Sequence, residues 1–224
     1  MILIRRGAAD MNSASSTNPS PVVLLPHGAL GVITSGYSVE AVGLIALLTI
    51  NGTSSVPLMA LVATIILIVA GFLLPTAGLL ALRRGLDRTH AAVRRNFLLQ
   101  GAGLVVLLLG VVVAVGINSL SGFIAGTALL AVSAALALLG SIMLRSECTE
   151  IGLPGPAATN YLVLAMVLLF SGVGLIMAAN IAFFYVISGA ANGVDTDIGA
   201  TISAYGCVVA AYSFLGFRRN RFIR

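Results

Sequence analysis

Charged side chains are scarce in this sequence: only 8% of its 224 residues are Asp, Glu, Lys or Arg. An ordinary soluble domain carries about 25%. By contrast, 59% of this chain is hydrophobic and its mean hydropathy is +1.10. So little polar surface cannot cover a globule in water, which excludes an ordinary soluble domain. Lipid must therefore be the solvent for most of the chain.

Lysine is absent, and histidine occurs only as His27 and His90. No predicted helix offers the His pair that often ligates an intramembrane haem, and no His, Asp and Glu cluster indicates a metal centre. Phosphate-binding loops, nucleophile elbows and zinc-hydrolase motifs are missing too. We therefore predict no catalytic residue, no metal, no cofactor and no enzymatic activity. A pigment held by Asn, Gln or water is an alternative that the composition leaves open.

Long apolar runs dominate what is present. A membrane-spanning helix needs about 20 predominantly apolar residues. Five runs meet this requirement, at 57–82, 97–117, 122–144, 161–188 and 198–217. The fold class predicted is an all-α, polytopic integral membrane helix bundle with five or six transmembrane spans.

The sixth candidate span, 28–50, carries Glu40 near its middle. A charged residue at the centre of a bilayer costs about 2.5–3.5 kcal/mol on insertion scales. Ser38 could instead cap a shorter helix that lies in the interface, with Glu40 in its first turn. If 28–50 does span, Glu40 becomes the candidate functional carboxylate, because ionisable groups at membrane depth are commonly functional.

Arginine supplies all 12 basic residues, and five of them lie within the segment 83–95. Cytoplasmic loops of membrane proteins carry an excess of basic residues. With this segment inside and six spans, every arginine falls on the cytoplasmic side, so we favour six spans over five. The predicted location is a plasma membrane or a bacterial inner membrane. The same cluster is a candidate docking patch for anionic lipid or for a partner: Arg83, Arg84, Arg88, Arg94 and Arg95.

Three parts of the chain differ in composition. Residues 1–27 include a polar, Pro- and Ser-rich stretch, and we expect them to be disordered. Residues 28–217 form the transmembrane helical domain, and residues 218–224 form a basic cytoplasmic tail.

Small residues recur at four-residue spacing, which allows helices to approach closely. The predicted packing positions are Gly122, Gly126, Gly174, Ala178 and Asn180, with the asparagine expected to donate a hydrogen bond between helices. Packing within the chain and docking of another subunit are both compatible with this pattern. Pro75 should bend the first strongly apolar span.

Two functions follow from these features. The first is a non-catalytic accessory subunit, a helical scaffold within a larger membrane protein complex, suggested by the lack of buried ionisable groups in the five clear spans. The second is a small transporter or channel for a lipid or neutral solute that uses Glu40, Pro75 and Asn180. Expected partners are membrane lipids, including anionic headgroups, and other membrane protein subunits; nucleic acid is not expected, because no basic stripe with interleaved aromatics is present.

Overall fold

The computed structural model describes residues 25–51, 57–86, 91–117, 119–150, 156–185 and 189–219. Every secondary-structure element in these ranges is an α-helix. In chain order they are α1 (His27–Asn51), α2 (Leu58–Gly85), α3 (Ala91–Ile117), α4 (Leu120–Glu150), α5 (Pro156–Tyr185) and α6 (Gly189–Arg219). The predicted all-α fold is confirmed. The predicted disorder of 1–27 falls mainly on residues outside those described, as do the last five residues of the basic tail.

All six helices are long and apolar enough to cross a membrane. The candidate spans are His27–Ile50, Leu58–Gly85, Ala91–Ala114, Leu120–Thr149, Ala157–Ala182 and Thr196–Arg219. Large apolar side chains cover the outside of the bundle, and those of the first turns of α2 are among the most exposed, with Met59 79% exposed. Such a surface is stable in contact with lipid but not in contact with water. The protein is therefore a multi-pass membrane protein.

The helices form a closed ring in which each packs against its neighbours in the chain and α6 returns to α1. Within the described residues, no other pair of helices makes contact of comparable closeness. All neighbours are antiparallel: Gly78 of α2 lies against Ile33 of α1, and Gly103 of α3 lies against Ala137 of α4. This alternation brings the N-terminal ends of α1, α3 and α5 to the same side as the C-terminal ends of α2, α4 and α6.

All arginines that the structure describes lie at that one side, which we call the arginine-bearing end. They are Arg83, Arg84, Arg94, Arg95, Arg145, Arg218 and Arg219. Arg83 and Arg84 occupy the last turn of α2, where a positive charge is favourable beside the unpaired carbonyls of a helix C-terminus. This distribution is the one expected if the arginine-bearing end faces the cytoplasm.

The structure differs from the sequence-based expectation at two helix boundaries. The segment 28–50 is not shortened at Ser38, because α1 runs without a break from His27 to Asn51 and Ser38 bonds back to the Thr34 carbonyl of its own helix. The stretch 189–197, which lies between the predicted apolar runs 161–188 and 198–217, belongs to α6, because this helix begins at Gly189.

Candidate functional site

Most buried polar side chains in the described residues have hydrogen-bond partners. Three serines join adjacent helices: Ser133 donates to the Gly103 carbonyl at 2.6 Å, Ser213 to the Ala158 carbonyl at 2.6 Å, and Ser203 to the Leu169 carbonyl at 3.3 Å. Three buried side chains in the described part of the chain have no partner at all: Glu40, Asn96 and Gln100. Because buried polar groups are normally hydrogen-bonded, these three define the candidate functional site.

Glu40 is the only acidic residue in the interior of the described bundle and has no exposed surface. It is the fourteenth of the 25 residues of α1, so it lies near the middle of the span. Gly71 of α2 packs against the backbone and Cβ of Glu40, and a Cβ on Gly71 would lie 2.7 Å from the Glu40 nitrogen. Only glycine allows this approach, and it brings α1 and α2 together at the depth of the carboxyl group.

Pro75 lies one turn from Gly71 on the same face of α2 and packs against Gly36 of α1. Proline has no N–H to donate to the carbonyl four residues earlier, so the Gly71 carbonyl lacks its usual intrahelical donor. Thr76 donates to the Phe72 carbonyl at 2.9 Å. The turn of α2 that faces Glu40 is therefore one in which the helical hydrogen-bond pattern is interrupted.

Helix α6 covers the other side of Glu40. The Cys207 thiol is close enough to interact with the carboxyl group, but neither carboxyl oxygen meets hydrogen-bond geometry with it or with any other described group. Tyr37, one turn before Glu40, is buried and stacks on Phe214 of α6, with ring centroids 6.0 Å apart and an interplanar angle of 17°. Glu40 thus lies where α1, α2 and α6 meet, in surroundings without a cationic partner among the described residues.

An unpaired carboxylate is unstable in such surroundings, because burial removes water without supplying a partner. The group therefore needs a proton or a cation. A Ca²⁺ or Mg²⁺ ion takes six or more oxygen ligands, whereas the described residues contain no group of three or more His, Cys, Asp or Glu side chains that could hold a metal. The chemistry of this site favours a proton.

Asn96 and Gln100 are the residues that sequence reasoning assigned no functional role. They lie one turn apart on α3 and are 0% and 2% exposed. Gly140 of α4 packs against them: a Cβ there would lie 2.8 Å from the Asn96 carbonyl oxygen and 3.0 Å from the Gln100 Cγ. The close approach of α4 buries Gln100. The sequence signal is a pair of amides at helical spacing at the start of an apolar run.

The predicted arginine patch is brought together in part. Arg94 of α3 donates from its Nε to the Arg83 carbonyl at 3.1 Å and so joins the end of α2 to the start of α3. Arg84 and Arg95 are exposed, and Arg88 lies outside the described residues. At least one of these arginines therefore has a structural role in addition to its charge.

The predicted packing positions divide into two groups. Gly126 lies against the Gly110 carbonyl and Ala114 of α3, and Gly122 lies against Ile117. Gly174 instead has nothing within 4 Å of where a Cβ would be, and Ala178 is exposed.

Asn180, expected to bond between helices, donates to the Ile176 carbonyl of its own helix at 2.7 Å. An asparagine side chain is short enough to reach the carbonyl one turn earlier, so this amide satisfies itself locally. It joins neither Glu40 nor the amides of α3.

Comparisons with protein-family models, with curated proteins and with solved structures find no match to this chain. The class that the described helices define is that of a multi-pass membrane protein.

Proposed function

We propose that this protein is a small membrane transport protein that moves protons, with Glu40 as the group that binds the transported proton. One observation carries the proposal: a carboxyl group at the centre of a span is fully buried and has no partner. Ionisable residues inside a membrane are expensive to place, and proton relays are among their common uses. The sequence predicted a small transporter or channel for a lipid or neutral solute as an alternative; this proposal keeps the transporter and replaces that solute with a proton.

The position of Glu40 in the ring supports the same proposal. A carboxyl that only stabilised the fold would be expected to pair with a donor on a neighbouring helix, as the buried serines do. Glu40 instead lies beside the turn of α2 that contains Gly71 and Pro75, where the helix lacks one backbone hydrogen bond. A helix interrupted at this depth can change its local shape more easily than a regular one.

The test is proton flux into vesicles that contain only this protein. A pH-sensitive dye is trapped inside, and a potassium diffusion potential drives protons inward. Wild-type protein should acidify the lumen faster than protein-free vesicles. Glu40→Gln should lower the rate about tenfold or more, because the amide keeps the shape of the side chain but cannot exchange a proton.

Glu147→Gln is the matched control, since it makes the same substitution at the arginine-bearing end of α4. Its flux should equal that of the wild type. A wild-type rate no higher than that of empty vesicles, or an unchanged rate in Glu40→Gln, would contradict the proposal.

The second candidate function is the accessory membrane subunit predicted from the sequence, and one observation favours it. Gly174 and Ala178 form a notch on the outer surface of α5 that none of the described helices fills. Small residues of this spacing are typical of contacts between membrane helices. A helix of another subunit would fit such a notch, whereas Gly126 is already occupied by α3.

Gly174→Leu should release a partner that co-purifies with the wild type in mild detergent from its native host. A leucine fills the notch and keeps a second helix from approaching, and open space around Gly174 lets the chain itself fold unchanged. The same variant should run at the wild-type position in size-exclusion chromatography when expressed alone. A partner retained in full by Gly174→Leu would remove this face as its docking site.

We also propose the kind of membrane in which the protein lies and the lipids that it contacts. Arginines collected at one end favour a plasma membrane or a bacterial inner membrane with that end in the cytoplasm. The exposed Arg84 and Arg95 are suited to anionic headgroups, with each such residue near the surface worth about 1 kcal/mol.

A further inference from the structure

A groove on the outer surface of the bundle lies between the first turns of α5 and the last turns of α6, at the arginine-bearing end. Its volume is about 260 Å³. The two helices are held together beneath it, because Ser213 donates to the Ala158 carbonyl at 2.6 Å and a Cβ on Gly216 would lie 3.2 Å from the Ala158 Cβ. Small residues therefore form the floor of the groove, and larger side chains stand on either side of it.

Two tyrosines line the part of the groove that lies nearer the middle of the membrane. The rings of Tyr161 on α5 and Tyr212 on α6 form an edge-to-face pair, with centroids 5.4 Å apart and an interplanar angle of 84°. They are 43% and 59% exposed, and Tyr212 continues an exposed stripe along α6 that includes Val208. The groove is therefore open to lipid, and tyrosine near the end of a span is typical of the interface between membrane and water.

Arg219, the last residue of α6, lines the other end of the groove. It follows Tyr212 by seven residues, which corresponds to roughly 10 Å along the same face of a helix. Among the described residues that line the groove, no other side chain is charged, so none of them neutralises the guanidinium. The groove thus has a positive charge at the membrane surface and aromatic rings closer to the membrane interior.

We propose that this groove is a binding site for an anionic phospholipid, with the lipid phosphate on Arg219 and the glycerol region against the two tyrosines. Guanidinium suits a phosphate group, because it can donate two parallel hydrogen bonds to the phosphate oxygens. Tyrosine presents an apolar ring to the chain and a hydroxyl to polar groups at this depth. The volume of about 260 Å³ is below the roughly 300–1,000 Å³ of sites that enclose a drug-sized ligand. A headgroup therefore fits, and the acyl chains stay in the bilayer.

The charge of the groove favours a lipid with a net negative charge. A zwitterionic headgroup carries a cationic amine beside its phosphate, and no acidic side chain lines the described groove to receive it. The inference goes beyond the proposed function, because neither proton transport through Glu40 nor a subunit contact at Gly174 uses this groove.

A single introduced tryptophan can report on the groove, because the sequence contains no tryptophan of its own. Leu215 lines the groove and is 38% exposed, so Leu215→Trp places the reporter there and keeps Arg219 and both tyrosines. The protein is reconstituted in vesicles of phosphatidylcholine and phosphatidylglycerol, and either lipid in turn carries brominated acyl chains. Bromine quenches tryptophan fluorescence on contact, so the quenching measures which lipid occupies the groove.

Ile142→Trp is the matched reporter outside the groove. Ile142 is 52% exposed and precedes the exposed Arg145 by three residues on α4, so it measures the general attraction between an arginine and anionic lipid. The preference for phosphatidylglycerol over phosphatidylcholine should be at least about fivefold greater at Leu215→Trp than at Ile142→Trp, because the groove adds a fixed contact with two hydrogen bonds.

Arg219→Gln, added to the Leu215→Trp protein, should lower this preference about fivefold, to the level of Ile142→Trp. Arg218→Gln removes the same charge from the preceding residue, which is exposed and does not line the groove, and it should leave the preference unchanged. Equal losses in the two arginine variants would show a diffuse effect of charge and overturn the site. A preference abolished by excess inorganic phosphate would assign the groove to a free anion and overturn the lipid.

Tyr161→Trp is a second reporter in the same groove and replaces one aromatic ring with another. It keeps the test decisive if Leu215→Trp does not run as a single species in size-exclusion chromatography. A preference no greater than that of Ile142→Trp at a correctly folded groove reporter overturns the site. The assay measures lipid occupancy and not proton flux, so its outcome is independent of the result for Glu40→Gln.

Discussion

Glu40→Met should make the protein more stable while it removes proton flux. Wild-type Glu40 is buried with both carboxyl oxygens unpaired, and an unsatisfied buried polar group costs about 1–3 kcal/mol. Methionine has a similar length, no polar hydrogen-bonding requirement and enough flexibility to fit irregular space. For a chain of this size, each kcal/mol corresponds to roughly 2–4 °C in the midpoint of thermal unfolding.

The measurement is the fraction of monodisperse protein that remains in detergent after heating at a series of temperatures. Glu40→Gln should gain less than Glu40→Met, because the amide remains a buried group that needs partners. Glu147→Met, at the partly exposed end of α4, should shift the midpoint little. A lower midpoint in Glu40→Met would mean that the carboxyl has a stabilising partner, and this would contradict a site kept for function at the expense of stability.

The ambiguity over the first span shows what sequence patterns can decide. Hydropathy treats a glutamate in the middle of an apolar run as though lipid surrounded it, so a short interfacial helix is an alternative on the sequence alone. In the structure, Glu40 points away from lipid, and α2 and α6 cover it. The insertion penalty applies to a charge that faces lipid. Whether this segment can span the membrane therefore depends on the direction in which the Glu40 side chain points. Hydropathy does not contain that direction.

The faces of the other helices were unpredictable for a related reason. A helix that is apolar on every side gives no periodic signal of which side is buried. Composition therefore predicted five or six apolar helices, but it could not tell Gly172, which packs against α6, from Gly174, which faces open space. Asn96 was overlooked for the same reason, since burial against Gly140 depends on how α3 and α4 pack and not on either sequence alone.

The distribution of positive charge was the sequence pattern that best predicted the arrangement of the helices. Arginines predicted to share one side do share one end of the bundle among the described residues, because antiparallel neighbours bring alternate helix ends together. The charge pattern could be interpreted before the fold was known because it depends only on the number of crossings. The hydrogen bond from Arg94 to the Arg83 carbonyl could not be predicted from the sequence, because it depends on how the chain turns between α2 and α3.

Gly172→Leu should destabilise the bundle more than any exposed substitution on α5. Gly172 of α5 and Gly199 of α6 approach each other so closely that a Cβ on Gly199 would lie 2.6 Å from the Gly172 carbonyl oxygen. A Cβ on Gly172 would in turn lie 2.6 Å from the Ser203 nitrogen. The Ser203 hydroxyl oxygen is also in the way of a Cβ on Gly172, but the Gly199 carbonyl oxygen and the Ser203 nitrogen are backbone atoms, which cannot rotate aside as a side chain could. The two helices must separate, and overpacking of this kind typically costs about 1–3 kcal/mol and occasionally more.

Gly174→Leu is the control because it adds the same side chain two residues away, where nothing lies within 4 Å. Leucine is a better helix former than glycine, which is about 0.8–1 kcal/mol less favourable than alanine in a helix interior, so this variant should unfold at or slightly above the wild-type temperature. Gly172→Leu should lower the midpoint by several degrees and weaken the bond from Ser203 to the Leu169 carbonyl, which spans the same contact. Equal midpoints for the two variants would mean that α5 and α6 do not meet at Gly172. The ring would then close through other contacts, and the placement of Cys207 beside Glu40, which depends on α6, would have to be revised with it.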